Sequence, residues 1–241
     1  MTEFFKLILI KLLVVHFCCD FLFQADDFCA TKNNLNTKGL LFQIIHALSH
    51  AILSYVFVAQ WSLWQLPLII FASHFVIDVI KATISCKNSF VVFIIDQVLH
   101  IATIVLLCLM FSQYFSPEIN VKSLNYWTYA LGYILLLKPT SVFISLFFTF
   151  RKWDNEHNNE SLPKAGSWIG YFERILIMTF VILGSYEAIG FLMAAKSIFR
   201  FGDLKDKNEI KMIEYVLLGT MISFTTAVVV ALVTKELLKN I

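Results

Sequence analysis

The chain has 241 residues, 59% hydrophobic and only 15% charged, with 24 Phe and a mean hydropathy of +0.75. A soluble domain carries about 45–50% apolar and about 25% charged residues, so a freestanding soluble globule is excluded. The formal net charge is +2 with no basic run, which gives no reason to expect nucleic acid. What remains is an integral membrane protein, an all-α polytopic helical bundle, because backbone in lipid must satisfy its hydrogen bonds internally.

Seven apolar blocks follow one another, near 4–24, 40–60, 64–81, 89–115, 124–150, 167–199 and 210–236, so about seven spans are expected at about 20 residues each. No small-residue cleavage pattern follows the first block, which is expected to stay as a helix. Lys138-Pro139 predicts a kink in the fifth, since a mid-helix proline frees a carbonyl that needs another partner. The sixth is long enough to bend, with Gly184 as the expected place. The longer connections are polar: "ADDFCATKNNLNTKG" after the first block and "RKWDNEHNNESLPKAG" after the fifth. Three parts are therefore expected: a five-helix membrane part over 1–150, a polar loop over 151–166, and a C-terminal helical pair over 167–241. Cys18, Cys19, Cys29, Cys86 and Cys108 show no C-x-x-C pair, and no disulfide framework is expected. Lys and Arg are nearly balanced between the face holding Met1, side A, and the opposite face, side B. The positive-inside rule therefore leaves orientation open.

Chemistry enters with the histidines. Five of the six have an aspartate or another histidine four residues away: His16/Asp20, His46/His50, His74/Asp78 and Asp96/His100. Four residues is one helical step, so each pair shares a face. With alternating spans, helices one to four bring all eight groups to one layer, roughly 5–16 Å below side B at 1.5 Å per residue. An ionised aspartate at a helix centre costs about 2.5–3.5 kcal/mol, and three of them call for compensation. Bound cations would supply it, with neutral imidazoles as co-ligands. Imidazole and carboxylate without thiolate suit zinc, manganese, iron or nickel, and eight ligands admit one or two ions, zinc being the expected metal. One pair alone reads as a satisfied interhelical hydrogen bond. Four pairs at one depth read as a metal site; haem would need facing histidines and has no use for three aspartates.

Other polar groups take smaller roles. Gln24 and Gln97 could orient metal-bound groups or bridge helices. Lys38 and Lys81 flank side B, to stabilise an anionic group or to snorkel. Glu173 and Arg174 would enter the same vestibule or pair with each other, and His157 is expected to be solvated in its loop. Lys196 and Arg200 share a face, either in a salt-bridged helical hairpin with Glu214 as the expected counter-ion or as a lipid-headgroup contact. Glu187, central in the sixth block, needs a partner.

The motifs H-x3-D-F-x2-Q (His16, Asp20, Phe21, Gln24), H-x3-H (His46, His50), H-x2-I-D-x2-K (His74, Ile77, Asp78, Lys81) and D-Q-x2-H (Asp96, Gln97, His100) resemble an uncharacterised bacterial family of polytopic membrane proteins. The stretches "GYFERILI", "AIGFLMAAKSIFRFGD" and "EYVLLGT" resemble it too. That resemblance implies the architecture and a bacterial inner membrane, and brings no activity. More distantly, the His/Asp layer resembles inner-membrane metal-dependent hydrolases and, through them, zinc-dependent phospholipases C and related nucleases, by fold analogy.

The leading expectation is a membrane-embedded, metal-dependent hydrolase of a lipid-linked ester or phosphoester. His16, Asp20, His46, His50, His74, Asp78, Asp96 and His100 are the candidate ligands. Asp20, Asp78 and Asp96, one of them as general base, and Lys81 are the candidate catalytic groups. The alternatives are a metal- or proton-coupled transporter, whose site commonly lies near the midplane, and a non-catalytic scaffold with a polar core. The expected partner is a membrane lipid or lipid-linked substrate, with no nucleic acid; oligomeric state is not legible.

Overall fold

The computed structural model describes residues 3–24, 36–84, 89–114, 121–151, 165–201 and 207–239. Cys29, Cys86 and His157 lie outside them. All the regular structure among the described residues is helical, in an all-α polytopic bundle. Helix α1 spans Glu3–Phe17 and runs into a π-helical turn, Cys18–Leu22. Then come α2 (Thr37–Val58), α3 (Gln65–Thr83), α4 (Ser89–Phe111), α5 (Val121–Leu136), α6 (Lys138–Phe150), α7 (Ala165–Leu183), α8 (Tyr186–Phe201) and α9 (Lys207–Lys239). Cys18, Cys19 and Cys108 are free thiols.

Among the described residues six helices are long and apolar enough to cross a membrane: 37–58, 65–83, 89–114, 123–150, 166–183 and 214–239. The expected seventh, the first block, differs in kind. Its α-helical part is only 15 residues and carries Glu3, Lys6 and Lys11, while Phe5, Leu7, Ile8, Ile10, Leu12, Val14 and Val15 are buried. It is enclosed on several faces by protein, packing against α2 and α4. The other helices turn Leu48, Ile52, Val56, Val76, Ile80, Leu106 and Leu109 outward, as lipid-facing positions require.

The chain divides into two compact units, Met1–Ile134 and Leu135–Asn240, so α6 belongs with the C-terminal helices although its sequence block begins in the N-terminal unit. In the N-terminal unit each of the first four helices presents one inward stripe at steps of four residues. On α1 and its π turn the stripe is Ile8, Leu12, His16, Asp20; on α2 it is His46, His50, Ser54, Val58. On α3 it is Leu66, Ile70, His74, Asp78, and on α4 it is Asp96, His100, Ile104, Cys108. Because neighbouring helices alternate in direction, the polar halves meet at one level and the apolar halves at another. The apolar level is a continuous core of Phe5, Ile8, Leu12, Val58, Leu63, Leu66, Ile70, Ile104, Leu107 and Cys108. Asn36 caps α2, its Oδ1 accepting from Gly39 N at 2.8 Å, which satisfies one of the orphan donors of that helix end.

The C-terminal unit is organised around the expected kink. The helix breaks at Leu137, with Pro139 in the first turn of α6. The Leu135 carbonyl, which Pro139 cannot bond, accepts from Thr140 Oγ1 at 2.6 Å. Arg174 of α7, 3% exposed, takes up the rest. Its Nε donates to Leu136 O at 2.5 Å, its Nη2 to Ser141 Oγ at 2.7 Å and Leu137 O at 3.5 Å, and its Nη1 to Ser223 Oγ of α9 at 3.0 Å. A Cβ at Gly170 would stand 3.1 Å from Nη1, so the guanidinium would have to shift to admit it. Arg174 therefore does not pair with Glu173, which instead accepts from Lys196 Nζ at 2.7 Å. That overturns the expected Lys196–Glu214 pair; Arg200's side chain lies outside the described part. The expected bend at Gly184 is a full break. Gly184 has φ +77°, with Ser185 N bonded to Phe180 O at 2.9 Å and Gly184 N to Val181 O at 3.2 Å, the two bonds of a Schellman cap. Glu187, expected at a helix centre, thus sits exposed in the first turn of α8, where the helix dipole favours a negative charge.

Two stability effects follow. Arg174→Met leaves the kink carbonyls short of donors and costs about 1–3 kcal/mol for each buried acceptor orphaned. Gly184→Ala forces a Cβ into left-handed backbone at a cost of about 1–2 kcal/mol. Both lower the unfolding midpoint in detergent, while Gly190→Ala, with open space around its Cβ, does not.

Candidate metal centre

The eight groups of the polar layer converge. His16, His46, His50, His74, Asp78, Asp96 and His100 are all buried, and the Asp20 side chain is 11% exposed. Their closest contacts run between helices more than within the four-residue pairs. Asp20 is the hub: its Oδ1 accepts from His46 Nε2 and from His50 Nε2, each at 3.1 Å, and lies 3.6 Å from His74 Nε2. Its Oδ2 accepts from Gln97 Nε2 at 3.0 Å and lies 3.6 Å from His16 Nε2. The imidazoles crowd together, with ring centroids 3.7 Å apart for the stacked pair His50–His74 and 4.0 Å for the tilted pair His74–His100.

The π turn helps to make this hub. Asp20 lies inside Cys18–Leu22, where Phe23 N reaches back to Cys18 O at 2.9 Å. A π turn is uncommon and recurs at functional sites. Here it widens the helix at the residue that imidazoles from α2 and α3 must reach. Nothing in "HFCCDFLFQ" announces the turn, since the stretch holds neither Gly nor Pro.

Proton positions follow from partners that can only accept. His100 Nδ1 lies 2.9 Å from the Asp96 carbonyl, so it carries the proton and Nε2 keeps its lone pair. That Nε2 is buried and makes no hydrogen bond. Gln97 Nε2 donates to two carboxylates, Asp20 and Asp96, the latter at 3.3 Å, which turns Oε1 toward His16 Nε2 at 3.3 Å. His16 Nε2 must then donate. Gln97 thus joins α1 to α4 and ties Asp20 to Asp96. Gln24 is buried at the end of the π turn, whereas Lys38 is exposed in the first turn of α2. Among the described residues Lys81 is the lysine of the layer: its Nζ donates to Asp96 Oδ2 at 2.7 Å, with the lysine side chain 29% exposed. Gln43, fully buried one turn before His46, is a polar neighbour that the His/Asp spacing did not single out. Its signal was a glutamine among apolar residues.

Three overlapping sets have ligand atoms within 4.8 Å of one another and could each hold a cation: His16, Asp20, His50 and His74; His46, His74 and Asp78; and Asp78, Asp96 and His100. His74 links the first set to the second, and Asp78 the second to the third. Below the imidazoles is a cavity of ≈ 20 Å³, walled by His16, His50, His74 and His100 above and by Leu12, Ile70, Ile104 and Leu107 below. That is room for about one water.

This is the part of the chain that the family comparison covers. Residues 8–129 match the family described as "Protein of unknown function (DUF3307)", and the chain belongs to that family. No curated protein and no solved structure matches it significantly. All eight layer residues, with Gln97 and Lys81, fall inside the matched segment, and Arg174 falls outside it.

Replacing Gln97 by Leu removes the donor to Asp20 Oδ2 and the acceptor of His16 Nε2. The cost is about 1–3 kcal/mol for each buried group left unpaired, read as a lower unfolding midpoint of the purified protein.

Proposed function

We propose that the chain is a membrane-embedded, metal-dependent hydrolase whose four-helix layer holds divalent cation, most simply zinc, and which cleaves a lipid-linked ester or phosphoester in a bacterial inner membrane. The observation that carries this reading is the convergence of five imidazoles and three carboxylates on one another across four helices. Charge supports it. With the imidazoles neutral, as ligands must be, Asp20, Asp78 and Asp96 face one ammonium, Lys81, among the described residues, leaving two negative charges in a buried layer. A carboxylate at depth costs about 2.5–3.5 kcal/mol, and one divalent ion cancels that excess. The donor set supports it as well: His100 Nε2 is a buried lone-pair nitrogen without a hydrogen-bond partner, and three imidazoles point at a single oxygen of Asp20.

His16, Asp20, His50 and His74 would hold the ion, a nitrogen-rich set of four that matches zinc's tetrahedral habit. When bound, such an ion lowers the pKa of its water to about 7 and polarises an ester or phosphoryl oxygen. The protein's own groups supply the rest. Asp78 or Asp96, the carboxylates not in that set of four, takes a proton as general base. Lys81, at the more exposed edge, faces the incoming headgroup and neutralises an anionic substrate. Gln97 holds Asp20 and His16 in orientation.

The apolar core under the layer favours an enzyme over a carrier. Ile8, Leu12, Leu66, Ile70, Ile104 and Leu107 are buried together there, an apolar plug where an alternating-access path would need a second opening. The exposed edge is on the side of Asp20 and Lys81, the side from which a lipid headgroup enters.

Tag-free purified protein is expected to retain stoichiometric zinc and to release headgroup or acyl product from bacterial lipid extract. His50→Ala and Asp20→Asn lose both. Gln97→Leu weakens metal affinity by about 10–100-fold, as outer-shell partners do. Metal-free protein with unchanged lipid turnover in His50→Ala would contradict the proposal. As a second check, Asp78→Asn removes a carboxylate shared by two of the three candidate sets, so it lowers the midpoint gained on adding zinc.

A further inference from the structure

The third ligand set, Asp78, Asp96 and His100, differs from the first in chemistry and in charge. The first offers three imidazoles and one carboxylate; the third offers two carboxylates and one imidazole. Its imidazole donates from Nδ1 to the Asp96 carbonyl, with that nitrogen 3.6 Å from Asp96 Oδ1, and its Nε2 is buried without a hydrogen bond. Asp96 Oδ1 is likewise buried without a hydrogen bond. Its other oxygen, Oδ2, is taken by Lys81 Nζ at 2.7 Å and by Gln97 Nε2 at 3.3 Å. One carboxylate therefore faces an ammonium on one oxygen and an open ligand position on the other.

We infer that the layer contains two cation sites of unequal strength, and that Lys81 sets the weakness of the second, at Asp78, Asp96 and His100. This rests on the proposed metal-dependent reading and assigns its stoichiometry and control. One divalent ion and Lys81 together balance the three aspartates. A second ion brings two further positive charges into a layer already neutral, and places them across one carboxylate from an ammonium. It therefore binds weakly while Lys81 holds its place. An anion of two negative charges at the layer restores neutrality, so phosphate and the second cation strengthen each other's binding, by reciprocal linkage. Lys81 is a positioning residue here. At 29% exposure its ammonium can leave Asp96 for water, which the buried Asp78 and His100 cannot do.

The test is a calorimetric titration of metal-stripped, tag-free, full-length protein in detergent with Zn²⁺, with and without inorganic phosphate. Two steps are expected, one ion each, the second at least tenfold weaker and tightened at least tenfold by phosphate. Lys81→Met tightens the second step at least tenfold without phosphate and tightens the first by less. Asp96→Asn abolishes the second step and keeps the first, and retention of that first step is its own evidence of folding. A single step, or a second step indifferent to both Lys81→Met and phosphate, overturns the inference while leaving a one-ion hydrolase intact. No zinc step at all removes the metal-dependent reading itself.

Discussion

Three carboxylates inside a lipid-embedded bundle are the constraint on which the N-terminal unit depends. Lipid offers them no solvation, so the protein must supply positive charge and donors at the same level. Four helices do this by the same device, an inward stripe with one polar half and one apolar half. Imidazoles from α2 and α3 reach across to the aspartate on α1, Gln97 and Lys81 cover the carboxylates on α4 and α1, and the apolar halves close underneath. With its imidazoles neutral, the polar layer would carry more negative charge than Lys81, its lysine among the described residues, balances, and that surplus gives the metal proposal its physical basis.

The C-terminal unit meets a smaller version of the same demand. Pro139 leaves carbonyls without amide partners inside a helix at membrane depth. Thr140 and the buried guanidinium of Arg174 supply the missing donors, with Ser141 and Ser223 taking the remaining N–H groups. An arginine that looks like half of an ion pair in sequence is a backbone-capping residue in the fold. Lys235 acts in the same way, its Nζ donating to Val181 O at 2.7 Å where α7 ends.

The eight layer residues were legible because two periodicities coincide: steps of four along each helix, and equal depth across helices of alternating direction. Both are arithmetic on the chain, so the convergence of His16, His46, His74 and His100 could be anticipated without coordinates. Which atoms touch could not. The hub role of Asp20 arises from a π turn that no breaker residue marks, and the bridge made by Gln97 depends on the rotation of α4 against α1. Block length alone predicted seven spans. It could not see that the first block is enclosed by its neighbours, or that Gly184 ends one helix and starts another. The error over Lys196 has the same origin: with the break at Gly184, α8 can turn Lys196 toward Glu173, a partner that a continuous helix would hold out of reach.

The most direct test of the central claim is the zinc-edge X-ray absorption of tag-free, zinc-loaded protein. The geometry described here predicts a first shell of nitrogen and oxygen only, at about 2.0–2.1 Å, with the outer-shell scattering of about three imidazoles. A first shell containing sulfur at about 2.3 Å, drawn from Cys18 or Cys19, or zinc bound without imidazole, would contradict it.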